Sequence, residues 1–148
     1  MSAVANIQPS IVKRNALCFM LLAVNIIGFI YQSYYIQNIG GDWLLPTDTD
    51  SYVFIILGAN EANLTLTGEP WRLVSNIFLH ADIAHLLFNM VALLAIGPYT
   101  EEHFGKLKML AIYLVSGISA SLVSALWYSS AGSQQPDSES MQDARETI

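Results

Sequence analysis

The chain has 148 residues, the size of one domain. It is 53% hydrophobic and only 12% charged, whereas a soluble domain carries about a quarter charged residues. Its apolar residues cluster in three blocks, which excludes an ordinary soluble domain and points to an integral, multi-pass membrane protein. Its six basic residues are scattered and its net charge is −6, so a nucleic-acid surface is excluded. The single cysteine, Cys18, allows no intrachain disulfide.

Residues 1–15 are polar and end in Lys13 and Arg14. They read as a cytoplasmic N-terminal segment. The block "ALCFMLLAVNIIGFIYQSYYI", 16–36, is nearly charge-free and long enough to cross about 30 Å of hydrocarbon. It is too long for a signal-peptide core, and no small-x-small cleavage site follows it. Tyr31, Tyr34, Tyr35 and Trp43 form an interfacial aromatic belt at its end.

A long loop covers 37–79, with Gly40, Gly41, Pro46 and Pro70 as breakers. It holds the acids Asp42, Asp48, Asp50, Glu61 and Glu69 and the single base Arg72. Its apolar piece "YVFIILGA" is too short to span, so it reads as buried or interfacial. A loop this long in a small membrane protein is expected to be functional or packed on the bundle.

The second span is expected over about 80–99, ending or kinking at Pro98. The link "TEEHFGKLK" carries Lys106 and Lys108, and a third span follows over about 109–128. Residues 129–148 are polar and acidic without apolar periodicity and read as a disordered tail. The fold class is therefore an all-α transmembrane bundle of three spans. Lys13 and Arg14 lie before the first span, and Lys106 and Lys108 lie between the second and third. The positive-inside rule puts both sites, and the N-terminus, on the cytoplasmic side of the cell (inner) membrane.

The second span carries His80, His85 and Asn89 in "FLHADIAHLLFNM". On a helix, positions 85 and 89 are roughly 400° apart and share a face, while 80 is displaced by roughly 140° from 85. His85 and Asn89 then point together into the bundle or a wet cavity, with His80 bracing from the rim. Two readings stay open on residue chemistry alone. One is interhelical hydrogen bonding, worth roughly 0.6–2 kcal/mol. The other is a pair of donors for a developing oxyanion, each worth roughly 2.7–4 kcal/mol of barrier. A zinc site has little support: the two histidines are neither i,i+3 nor i,i+4, and no HExxH or cysteine pair accompanies them. On the third span, Ser116, Ala120 and Ser124 repeat every four residues, as do Gly117, Ser121 and Ala125. Such small-residue faces allow close helix contact.

Taken together, these residues resemble the rhomboid intramembrane serine proteases. The resemblance runs from the first span to about residue 127. It is carried by the pair Trp71–Arg72, the H-x4-H-x3-N-M of His85 and Asn89 with His80, and the glycine, acid and glycine at Gly97, Glu101 and Gly105. It implies a six-helix core of which this chain carries the first three. It also implies that His85 and Asn89 form the oxyanion hole, that His80 supports them, and that Trp71 and Arg72 anchor the first loop. Transmembrane-helix segments are the implied substrates or clients, with no metal or cofactor.

The chain departs from the pattern in lacking the family's G-x-S-G nucleophile motif and any histidine beyond His103. Ser133 is the one serine near the expected nucleophile; it follows Gly132, but Ala131 and Gln134 stand where the G-x-S-G motif has glycine. The expectation is a chain truncated after the third helix and inactive alone. The alternative is a non-catalytic pseudo-rhomboid that binds transmembrane clients or a full-length relative. Polar groups exposed to lipid would also favour a homo-oligomer.

Overall fold

The structure is a computed structural model, and it describes residues 11–42, 44 and 51–130. The expected disordered tail beyond 130, Ser133 and Trp43 lie outside the described residues. A short helix α1 (Ile11–Arg14) leads into α2 (Ala16–Asn38). The loop then forms three short helices, α3 (Ser51–Ile56), α4 (Ala62–Thr67) and α5 (Arg72–Ser75), and a 3₁₀ turn, Asn76–Phe78. Two long helices follow, α6 (Ile83–Phe104) and α7 (Lys106–Ser130). No strand occurs among the described residues. Helices α2, α6 and α7 are each long and apolar enough to cross a membrane.

These helices are apolar nearly all round, as lipid-immersed helices are. Phe88, Val91, Ile96, Val115 and Val123 face outward. The core is thin and lies where α2 meets α6 and α7: Leu17, Cys18, Leu21, Leu22, Phe29, Leu86, Met90 and Met109 are buried together. A Cβ on Gly97 would stand 2.6 Å from the Cys18 Sγ, so the glycine is what lets α6 approach α2.

The same end of the bundle carries a polar lock. Glu101, buried near the end of α6, accepts the backbone N–H groups of Leu17 at 3.1 Å and Cys18 at 2.8 Å. These are first-turn amides of α2, which have no partner within their own helix. A carboxylate there also meets the positive end of the helix dipole. Beside it, Glu102 pairs with Arg14 at 2.7 Å and accepts from the Asn15 amide at 3.3 Å. Gly105 ends α6 with φ of 79°, a left-handed conformation that a side chain would strain. The glycine–acid–glycine spacing is thus a close approach, a helix cap supplied from another helix, and a turn.

Pro98 does not end α6, which continues to Phe104. Apolar contacts and Glu101 hold the segment beyond the proline, and the Thr100 hydroxyl donates to the Ile96 carbonyl at 2.9 Å. Proline removes only one amide and is tolerated in transmembrane helices for that reason.

The loop is packed onto the bundle. Glu61 is buried and caps α4 through the amides of Asn63 and Leu64. Arg72 is also buried: it donates to the carbonyls of Ile55 at 2.7 Å and Ala59 at 3.0 Å and pairs with Glu69 at 2.7 Å. Trp71 is half exposed, its ring 4.8 Å from the Arg72 guanidinium carbon. The small-residue stripe Gly117–Ser121–Ala125 meets this loop rather than another long helix. Ile77 presses on Gly117, and Asn60 donates to the Ser121 carbonyl at 2.6 Å while Asn76 donates to its hydroxyl at 3.1 Å. The stripe Ser116–Ala120–Ser124 lines an open groove, which Gly117 and Ser121 also border.

Candidate functional site

The groove has a volume of about 2030 Å³ and lies between α6, α7 and the loop. His80, His85 and Asn89 line it, with Asn60 and Ser121 opposite. Asp82 starts α6 as a side-chain cap, its Oδ1 accepting the His85 backbone N–H at 2.7 Å. That bond occupies the His85 main chain and leaves the imidazole free to face the groove. Asn89 follows one turn later on the same face. Both side chains are exposed. An imidazole N–H and a carboxamide NH₂ are hydrogen-bond donors, so this face can hold a negatively charged oxygen.

His80 is placed differently from the helical expectation. Helix α6 starts only at Ile83, and Asp82 is extended, with φ of −156° and ψ of 174°. The helical-wheel angle between 80 and 85 therefore does not apply. His80 is not at a rim: it is 1% exposed and its ring meets that of His85 edge-on, centroids 5.4 Å apart. Its Nδ1 is buried without a hydrogen-bond partner. Burial pushes this imidazole, which precedes the span, below the ordinary histidine value; His85 pushes the same way, and the Phe78 carbonyl opposes both. A neutral ring is what the setting favours.

The His80 main chain is held from α2. The Gln32 carboxamide donates to the His80 carbonyl at 2.5 Å and accepts its N–H at 3.2 Å. Gln32 is itself buried. Without it, two buried peptide groups in a non-helical link would lack partners, at roughly 1–3 kcal/mol each. Two turns earlier, Asn25 exchanges hydrogen bonds with the Tyr113 hydroxyl of α7, at 3.0 and 3.3 Å. Sequence reading passed over Gln32 and Asn25. The available signal was the cost of carboxamides inside an otherwise apolar span, which demands internal partners.

The family described as "Rhomboid domain" matches residues 67–135, which include Trp71, Arg72, His80, His85, Asn89 and the whole of α6 and α7. The Rhomboid protease AarA of Providencia stuartii is 40% identical over 112 residues, 76% of this chain and 37% of that protein. The chain belongs to the rhomboid family. Rhomboid protease GluP of Bacillus subtilis is 42% identical over 86 residues, 57% of this chain and 17% of that relative. RHOMBOID-like protein 5 of Arabidopsis thaliana is 47% identical over 70 residues, covering 47% of this chain and 23% of its own length. The rhomboid chain thus spans well under half the length of these curated relatives. No solved structure matches it.

Proposed function

We propose that His85 and Asn89 are the oxyanion-hole donors of an intramembrane serine endopeptidase of rhomboid type, and that its substrates are transmembrane segments. The observation that carries the reading is the donor face of α6: two donors one turn apart, turned toward a groove, with the buried His80 ring against the first of them. Trp71 and Arg72 fit the role of loop anchors, since Arg72 ties α3 to α5 from a buried position.

The nucleophile and the base are not among these 148 residues, which hold no G-x-S-G and no histidine past His103. Donors without a nucleophile and base keep only a residual part of the rate enhancement. The chain by itself is therefore inactive in our reading. A fluorophosphonate probe on the purified chain tests this. No labelling is expected; labelling abolished by Ser133→Ala would overturn it.

A second reading is favoured by the openness of the donor face: a non-catalytic rhomboid that binds transmembrane clients or a full-length relative. Co-expression with a full-length rhomboid separates the two. Co-purification abolished by His85→Ala plus Asn89→Ala supports binding through the groove. Co-purification that survives both substitutions places the contact elsewhere.

The N-terminus is cytoplasmic and the membrane is the inner one in this proposal. The Arg14–Glu102 pair supports it, because it puts the basic residue before α2 at the same end as Lys106 and Lys108, which open α7. Reporter fusions at residue 1 and in the α6–α7 link test it; an external signal from either would reject the topology.

A further inference from the structure

We propose that Gln32, on α2, is a positioning residue for the His80–His85 pair. The inference draws its catalytic meaning from the reading of His85 and Asn89 as oxyanion donors. Its geometric content stands apart from that reading.

The link 79–82 joins the 3₁₀ turn to α6 and has no helical bonds of its own around His80. Gln32 supplies both missing partners at once, by donating to the His80 carbonyl at 2.5 Å and accepting its N–H at 3.2 Å. A carboxamide matches a peptide group in this two-point way, with one donor and one acceptor; Met keeps the length and loses both. The approach is prepared one turn earlier on the same helix. A Cβ on Gly28 would stand 3.2 Å from the Phe78 carbonyl oxygen, so α2 runs close against this link. Both Gln32 and His80 are 1% exposed, which removes water as a substitute partner. The clamp fixes the main chain from which the His80 ring projects. That ring lies edge-on to His85 at 69° and so limits how the His85 imidazole turns in the groove. A residue on the neighbouring helix α2 thereby sets the aim of a donor on α6.

The test uses the whole chain in nanodiscs, labelled with ¹⁵N and ¹³C at its three histidines. His103, at the far end of α6, serves as an internal reference. In Gln32→Met the ring signals of His80 and His85 are expected to shift or split. Their inter-ring nuclear Overhauser effect weakens several-fold, and His103 stays in place. Asn25→Leu breaks another buried polar tie of the same helix; it is expected to lower thermal stability and leave both rings unmoved. If Gln32→Met does not fold, Gln32→Asn gives the readout: one methylene shorter, it draws the carboxamide back from His80, and a smaller shift of the same two rings is expected.

Unchanged His80 and His85 signals in the folded Gln32 variant overturn the proposal. So does an equal shift in Asn25→Leu, because the effect would then be general loosening. Failure of the oxyanion reading has a different signature: the rings respond to Gln32 as described, yet His85→Ala leaves turnover unchanged when α2 to α7 are placed in an active full-length rhomboid.

Discussion

The two ends of α6 are built in opposite ways. At its C-terminal end Glu101 is buried and both carboxylate oxygens are spent on α2 amides, with Gly97 closing the gap to Cys18. At its N-terminal end the His80 Nδ1 has no partner, and His85 and Asn89 stand exposed toward a groove. One end spends its buried carboxylate on a neighbouring helix, the other holds donors in reserve. In a medium where unpaired polar groups are expensive, reserve donors mark a site and saturated ones mark a lock.

Substitutions break this contrast most sharply at the lock. Glu101→Ala strands two buried amides of α2, each costing roughly 1–3 kcal/mol, so a loss of about 2–6 kcal/mol is expected in micelle unfolding. Arg72→Ala takes from the buried-side carbonyls of Ile55 and Ala59 the donor they share, at roughly 1–3 kcal/mol each. Protease nicking of the loop is the more local readout. Gly97→Ala pushes a methyl into Cys18 and is expected to cost about 1–3 kcal/mol. Adding Cys18→Ala returns part of that loss, which a double-mutant cycle in thermal unfolding measures.

At the open end the ranking inverts between stability and activity. His85→Ala and Asn89→Ala are expected to stay within about 0.5 kcal/mol in unfolding, as exposed positions do. In an active full-length rhomboid carrying this region, each lowers kcat by roughly 10²–10³. A large unfolding effect with intact turnover would mean that these residues are packing groups, and the contrast would collapse.

The smallest effect is in pH. His80 titrates below its unfolded value of about 6.5. The unfolded chain then binds more protons between the two values, so stability rises with pH there. Acidification from neutral through about 6.5 is expected to destabilise the chain slightly, and His80→Gln removes that slope. An unchanged slope in the variant would assign the pH response to another group.

Much of the fold was legible because the bilayer imposes it. A span of apolar residues must be helical, whatever its neighbours, since no water is present to bond its backbone. The His85/Asn89 face was legible for the same reason: costly polar residues in an apolar context stand out, whereas the Trp71–Arg72 pair was legible only through the family resemblance. The route of α6 through Pro98 was not legible, because a local rule about proline was outweighed by Glu101 bonding to a helix over eighty residues away in sequence. The small-residue stripes showed which faces of α7 permit close approach but not what approaches: the loop packs on Gly117 and Ser121, and the groove runs along Ser116, Ala120 and Ser124 beside them.

The sequence by itself determined three helical spans, the loop between the first two, and the chemistry of the donor pair, all of which follow from hydropathy and residue type over short stretches. The tertiary structure decided that His80 belongs to a non-helical link and lies buried against His85. It also decided that Gln32 holds that link, that Glu101 caps a helix other than its own, and that only one end of α6 stays open. Each of these depends on contacts between residues far apart in the chain, where hydrogen-bond geometry and close approach, not local propensity, set the outcome.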